Sequence, residues 1–146
     1  DVQIDLDVSS YIPDEYIENS SQKIEIYQNI ALCRNEEDIQ NVIDEMIDRF
    51  GNMPKEIENL IEIARIKTLC KKLNISKVQG KNKFVVFIFE PGEINININE
   101  LVKKYKNRIK FTQGIKPQIT LALENTNEIK MLKEVRDILY RFYFVP

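Results

Sequence analysis

The charged side chains with the most regular spacing lie between Asp38 and Pro54, in the sequence DIQNVIDEMIDRFGNMP. Steps of three and four residues place polar side chains on one side of a helix. The side chains on this side are Asp38, Asn41, Glu45, Asp48 and Arg49. A ridge of this kind can bind a basic patch on a partner, where complementary charge sets specificity and association rate. The alternative interpretation is an ordinary solvated helix face.

Catalytic chemistry has little support in this sequence. The chain contains no histidine, which excludes Ser-His-Asp and Cys-His sites and the usual zinc arrangements. It contains neither a Walker A loop nor a GxGxxG sequence, and its four glycines fall at predicted turns. Carboxylates are plentiful, but no pair of them points to a pocket. The sequence therefore predicts no catalytic, cofactor or metal site in this chain.

A second charged group is the basic run Lys103–Lys110, which is followed by Phe111. Its cations are Lys103, Lys104, Lys106, Arg108 and Lys110, with Tyr105 among them. Basic side chains interleaved with aromatic rings can bind nucleic acid through charge and stacking. The other interpretation is a solvated helix and strand edge with both rings in the core, which the net charge of -2 favours. Nucleic-acid binding through this run is the alternative function.

The overall composition is that of a globular domain. The 146 residues are 43% hydrophobic and 30% charged, and this length is typical of a domain, so we expect a single domain over residues 1–146. Because the chain starts at Asp1 with a strand-like alternation, we expect it to be a piece of a longer protein. No apolar run is long enough to cross a bilayer. Cys33 and Cys70 fall in apolar helical patterns, which predicts buried reduced thiols and a cytoplasmic setting.

The charged ridge depends on the helix that carries it. The predicted buried face of this helix consists of Ile39, Val42, Ile43, Met46, Ile47 and Phe50, which recur at helical spacing. Asn35 is the predicted N-cap, with Asp38 in the position of a capping-box acid. Gly51 is the predicted C-terminal cap, and Pro54 then ends the helix or opens a new one. This arrangement directs the ridge toward solvent.

The other elements follow from changes in hydrophobic period. We predict a strand at 2–8, helices at 22–33 and 54–73, strands at 75–79 and 83–89, a helix at 99–106, strands at 109–112 and 118–123, and a helix at 126–142. The first of these helices should bury Ile24, Tyr27, Ile30, Ala31 and Cys33. The helix at 99–106 should begin at the N-cap Asn99 and direct Leu101, Val102 and Tyr105 inward. The apolar strand FVVFIF should be covered on both faces. Clustered strands and helices predict an α+β fold, a helical-hairpin-type cluster on a mostly antiparallel sheet.

Several stretches of the chain resemble a known family. They are DVQIDLDVSSYIPDEYI, EMIDRFGNMP and IENLIEIARIKTLCKKLNISKV. Together they resemble the C-terminal domain of bacterial transcription-repair coupling factors, and the resemblance covers essentially the whole chain. Its most specific parts are Tyr11-Ile12-Pro13 with Tyr16-Ile17, and Asp48-Arg49-Phe50-Gly51 followed by Pro54.

The resemblance implies a function without catalysis in this chain. The parent protein would be an ATP-driven DNA translocase that displaces stalled RNA polymerase and recruits the excision-repair damage-recognition ATPase. ATP and magnesium would bind to its motor, which would lie upstream of this domain and act on double-stranded DNA. In the family this terminal domain is an autoinhibitory clamp that docks on the N-terminal module and hides its repair-protein surface. The implied docking residues are Glu45, Asp48 and Arg49.

Overall fold

The computed structural model describes residues 1–92 and 94–144, apart from the side chain of residue 144. In chain order the elements are β1 Gln3–Asp5, α1 Ser20–Ala31, α2 Glu36–Phe50, α3 Lys55–Leu73, β2 Ile75–Lys81, β3 Phe84–Phe89, α4 Ile98–Tyr105, a 3-10 turn at Lys106–Arg108, β4 Ile109–Thr112, β5 Gln118–Ala122 and α5 Glu128–Phe144. The predicted α+β class is confirmed, and each predicted element is present. The strand β4 has the predicted ends, and most of the other elements have shifted ends.

The strands form one sheet in the order β1-β2-β3-β5-β4. Only β1 runs parallel to its neighbour among the described strands, and the other three pairings are antiparallel. The sheet is therefore mostly antiparallel, as predicted. The predicted first strand is much shorter than its alternation indicates, because only Gln3–Asp5 pairs with β2.

One face of the sheet carries the larger core. Val85, Phe87 and Phe89 of β3 point toward α3 and α5 and are buried. The ring of Phe87 meets that of Phe142 on α5 edge to face, with centroids 5.5 Å apart. Such aromatic pairs add to the stabilisation that burial provides.

The described residues do not cover the opposite face of β3, so the prediction of two covered faces is wrong. Phe84 is 46% exposed, Val86 and Ile88 are half-buried, and none of the three joins either core of the described residues. A continuous apolar run shows that both sides of a strand are apolar. It does not show that the chain itself supplies a cover for each side.

The helices α1, α2 and α3 enclose a second core with the link that precedes α1. Ile12 and Ile17 of this link are buried among them. Burial on α1 falls on Ile26 and Ile30, whereas Ile24 is 57% exposed and Tyr27 and Ala31 are also exposed. The predicted stripe is therefore confirmed at Ile30 and Cys33. It is wrong at the other three predicted positions and lacks Ile26. The helix α3 contributes to both cores and joins the helical cluster to the sheet.

The remaining corrections concern α2 and α4, while the cysteine prediction holds. Ile47 of α2 was predicted to be buried and is 43% exposed. The N-cap of α4 is Asn97 instead of Asn99, since its side chain accepts from the Glu100 N–H. Val102 was predicted to face inward and is 44% exposed. Cys33 and Cys70 are both buried free thiols, as predicted.

Candidate interdomain docking surface

The helix α2 begins and ends at the predicted residues. The Asn35 side chain accepts a hydrogen bond of 2.8 Å from the Asp38 N–H. The Asp38 carboxylate turns back and accepts from the Arg34 N–H at 3.0 Å. Gly51 ends the helix with a φ of 88°, a left-handed conformation that glycine adopts without strain. Because Asp38 is used at the helix start and is half-buried, the exposed ridge is shorter than predicted.

The C-terminal end of α2 is fastened to the link before α1. The Tyr16 hydroxyl donates to the Gly51 carbonyl at 2.6 Å, and it also lies 3.2 Å from the Met46 carbonyl. The rings of Tyr16 and Phe50 lie 5.8 Å apart, and burial raises the pKa of Tyr16. Several residues that carry the family resemblance therefore hold this helix end in position.

Arg49 lies at this fastened end and is held from three sides. Its Nη1 is 3.2 Å from the Glu25 carboxylate on α1 and 3.7 Å from the Glu45 carboxylate one turn earlier. Its guanidinium carbon lies 4.9 Å from the centre of the Phe50 ring. The Arg49 side chain is nevertheless 32% exposed. Partly exposed ion pairs each contribute about 1 kcal/mol or less, so a partner can replace them at small cost.

Glu45 and Asp48 complete the exposed group. The Glu45 side chain is 45% exposed. Asp48 is exposed and makes no hydrogen bond or ion pair with the described part of the chain. We name Glu25, Glu45, Asp48 and Arg49 the α2 surface. The sequence indicated three of these residues but missed Glu25, because no local signal connects positions 25 and 49.

A network of buried and half-buried charges lies elsewhere on the same helices. The Glu62 side chain on α3 is 3% exposed, and its Oε1 accepts from Arg65 and from Arg136 of α5, each at 2.9 Å. Arg65 also donates to the carboxylate of Glu36 on α2 at 2.8–3.1 Å. Burial lowers the pKa of Arg65, but the hydrogen bonds and charges of Glu36 and Glu62 raise it overall. The network links α2, α3 and α5, and no pattern in the sequence indicates it.

The aromatic rings of the basic run pack in or against the core, as the interpretation of a solvated helix and strand edge expects. Tyr105 is buried and Phe111 is half-buried, so neither ring is free to stack on bases. Arg108 donates to the Ala122 carbonyl at 3.0 Å and to the Glu134 carboxylate at 2.6 Å, and it also pairs with Glu124. Its guanidinium is thus engaged within the domain. The lysines of the run are exposed at Lys103, Lys104, Lys106 and Lys110.

Tyr105 provides a test of this placement in the core. Burial, and to a smaller extent the charge of Asp137, raises the pKa of Tyr105 to about 12 from 10.0. A raised pKa stabilises the folded state fully below the unfolded value of 10.0, and this stabilisation is lost as the pH rises through the folded value of about 12. We predict that Tyr105→Phe reduces the loss of stability over this range. Urea unfolding at a series of pH values measures this loss of stability. The control variant Tyr11→Phe, at a residue that is 50% exposed, should lose as much stability over this range as the unsubstituted chain.

The described residues contain neither a cluster of metal-ligating side chains nor a helix that could span a membrane. No three or more Cys, Asp or Glu side chains among residues 1–92 and 94–144 gather as metal ligands. Within the same ranges, every helix is too short or too polar to span a bilayer.

The fold and the α2 surface together define a class: an α+β domain that presents an exposed, charged helix end. Comparison with known protein families identifies one family to which the chain belongs. The profile described as "TRCF domain" matches residues 6–101, and this chain belongs to that family. The resemblance inferred from the motifs is confirmed.

The relatives carry the same name over much longer chains. The chain is 36% identical over 138 residues to the transcription-repair-coupling factor of Rickettsia prowazekii, which covers 94% of this chain and 12% of the relative. It is 35% identical over 105 residues to that of Staphylococcus epidermidis, covering 71% and 9%. The chain thus spans about a tenth of the length of these relatives.

A solved structure has the same fold. It is described as the crystal structure of the C-terminal domain of transcription-repair coupling factor, and it matches with a TM-score of 0.85 at 21% identity. The match covers 97% of this chain and 91% of the solved chain. At this identity the likeness shows the fold.

Proposed function

We propose that this chain is a non-catalytic, autoinhibitory docking domain of a transcription-repair coupling factor. In the proposed closed state the α2 surface binds basic residues of the N-terminal module of the same protein and masks its repair-protein surface. The observation that carries the proposal is the exposure of Glu45, Asp48 and Arg49 together at a helix end that Tyr16 and Phe50 hold in place. A fixed backbone with replaceable ion pairs is what a reversible contact needs.

The rest of the proposal concerns the parent protein. We propose that it is a cytoplasmic, ATP-dependent DNA translocase with ATP and magnesium in a motor outside this chain, and that it contacts RNA polymerase, double-stranded DNA and the excision-repair damage-recognition ATPase. For ligands of the motor to open the clamp, the closed contact must be worth no more than about a few kcal/mol. Partly exposed ion pairs such as those of the α2 surface each contribute little free energy, which is consistent with a contact of this strength.

The test is charge reversal at three residues in the full-length parent protein. The variant Glu45→Arg, Asp48→Arg, Arg49→Glu should leave the domain folded and raise the affinity for the damage-recognition ATPase by about tenfold or more, since like charges would then oppose the closed contact. Pull-down and anisotropy titration of that ATPase measure the effect. Far-UV circular dichroism and thermal unfolding of the variant check its folding.

The control is Glu18→Arg, which gives the same change in net charge at another exposed position. It should leave the affinity unchanged. The clamp is contradicted if the folded triple variant binds the ATPase no better than the parent protein, or if Glu18→Arg raises the affinity equally. The nucleic-acid alternative has less support, because Tyr105, Phe111 and Arg108 are engaged within the fold.

A further inference from the structure

The uncovered face of the sheet has a defined pattern of side chains. The strand registers align its outward residues in three rows across the sheet. These rows are Gln3, Lys77, Ile88, Gln118, Thr112; then Asp5, Gln79, Val86, Thr120, Lys110; and then Lys81, Phe84, Ala122. We name these residues the outer sheet face. It shares no residue with the α2 surface.

The centre of the outer sheet face is apolar. Phe84, Val86 and Ile88 occupy alternate positions on β3, and Ala122 of β5 lies directly across from Phe84. A strand with one solvated face normally carries polar residues on that face. A contiguous exposed apolar patch with a polar surround is typical of an interaction site. On the outward side of the central strand Phe84 is exposed and Val86 and Ile88 are half-buried, so this strip has the apolar centre of such a site.

The margins of the same face are positively charged. Lys77 and Lys81 lie on β2, to one side of the apolar centre, and Lys110 lies on β4, to the other side. None of these three lysines makes an ion pair with the described part of the chain. Asp5, at the far edge on β1, is the one acidic residue in the rows. The face is therefore basic, although the whole chain has a net charge of -2.

We propose that the outer sheet face is a docking site for an acidic amphipathic helix of a protein partner. Adjacent strands lie about 4.8 Å apart. In the order β2-β3-β5-β4, a helix axis placed midway between β3 and β5 is therefore about 7 Å from β2 and about 7 Å from β4, measured across the sheet. A helix is about 10 Å wide. Its apolar stripe would cover Val86 and Ile88, and carboxylates on its two flanks would meet the lysines of β2 and β4.

The composition favours a protein helix over a single-stranded nucleic acid. Nucleic-acid platforms use several aromatic rings on which successive bases stack. On the outer sheet face only Phe84 offers a ring, and Val86 and Ile88 offer aliphatic surface instead. Aliphatic surface suits the Leu and Ile side chains of an amphipathic helix. This inference does not depend on the clamp, because it concerns different residues with the opposite charge.

The experiment uses two designed probe peptides and the 146-residue chain. One fluorescein-labelled helical peptide carries Leu at helical spacing with Glu on both flanks, and its twin has Lys in place of every Glu. Anisotropy titration measures the affinity of each, and methyl NMR spectra report on Val86 and Ile88. We expect the acidic peptide to bind at least about tenfold more tightly than the basic twin and to shift the signals of both methyl-bearing residues.

Two variants and a matched control separate the contributions. Lys77→Glu with Lys110→Glu should weaken binding of the acidic peptide by about tenfold or more, and Phe84→Ala should weaken it several-fold. Lys67→Glu with Lys71→Glu makes the same charge change at exposed positions of α3 and should change the affinity less than about twofold. Thermal unfolding confirms that each variant is folded.

Several results would overturn the proposal. They are failure of the acidic peptide to bind, equal affinity for both peptides, equal loss in the α3 control, or shifts confined to residues away from the outer sheet face. A labelled oligothymidine that binds this face while the acidic peptide does not would assign it to nucleic acid instead.

Discussion

Phe87→Ala is expected to lower the free energy of unfolding by about 4 kcal/mol, as for other fully buried large-to-small changes of Phe. Phe87 is fully buried in the central strand of the sheet, and its ring packs edge to face on Phe142 of α5. Truncation removes the ring from the contact between the sheet and α5 and leaves a cavity between two rigid elements. Closely packed cores relax only in part around such a cavity, so most of the loss should be visible.

The matched control for this change is Phe84→Ala on the same strand. Phe84 points to the outer sheet face and is 46% exposed, so its truncation should cost about 1 kcal/mol or less. Urea unfolding followed by circular dichroism measures both values. Equal costs for the two variants would contradict the assignment of one covered and one uncovered face to β3.

The contrast between these two phenylalanines shows what sequence patterns can and cannot predict. FVVFIF was correctly predicted as the central strand, since its residues favour strands and turn residues flank it. Its one uncovered face was not predicted, because the position of α3 and α5 on a single side follows from the connections of the whole chain. The same reason explains α1, where either Ile24 or Ile26 could begin an apolar stripe. Ile26 is the one buried in the structure, in the same core as Ile12 and Ile17 of the preceding link.

Predictions from local sequence were more accurate where one residue type determines the backbone conformation. Asn35 and Gly51 were predicted to bound α2, and the structure confirms both because capping depends on neighbours within a few residues. In the alternating asparagines before α4 several positions offered the same signal, and the predicted cap was two residues late.

The candidate site divides in the same way. Helical periodicity was sufficient to predict that Glu45, Asp48 and Arg49 face solvent, and the structure confirms their exposure. Periodicity could not show that Glu25 of α1 holds Arg49, or that Asp38 turns back to the helix start. Docking by these residues stays a prediction, to be decided by charge reversal.

Glu62→Ala is expected to lower the free energy of unfolding by about 3 kcal/mol, the lower end for removal of one member of a buried ion pair. The Glu62 side chain is 3% exposed and accepts hydrogen bonds from Arg65 and Arg136, whose side chains are 17% and 26% exposed. Without Glu62, Arg136 loses the ion-pair partner that it has among the described residues, and Arg65 retains Glu36. Partial solvation of the two arginines reduces the cost, and so does removal of the Glu62 Oε2 atom, which has no hydrogen-bond partner.

The control is Glu58→Ala, one turn earlier on α3, where the side chain is exposed. Its cost should stay within about 0.5 kcal/mol. A second variant, Glu62→Leu with Arg65→Met and Arg136→Met, replaces the charges by apolar side chains and should recover most of the loss, because no buried charge is then left without a partner. If Glu62→Ala costs no more than Glu58→Ala, Glu62 is hydrated in solution and does not join α3 to α5. If Glu62→Ala is costly and the apolar variant equally so, packing shape at this position matters more than charge.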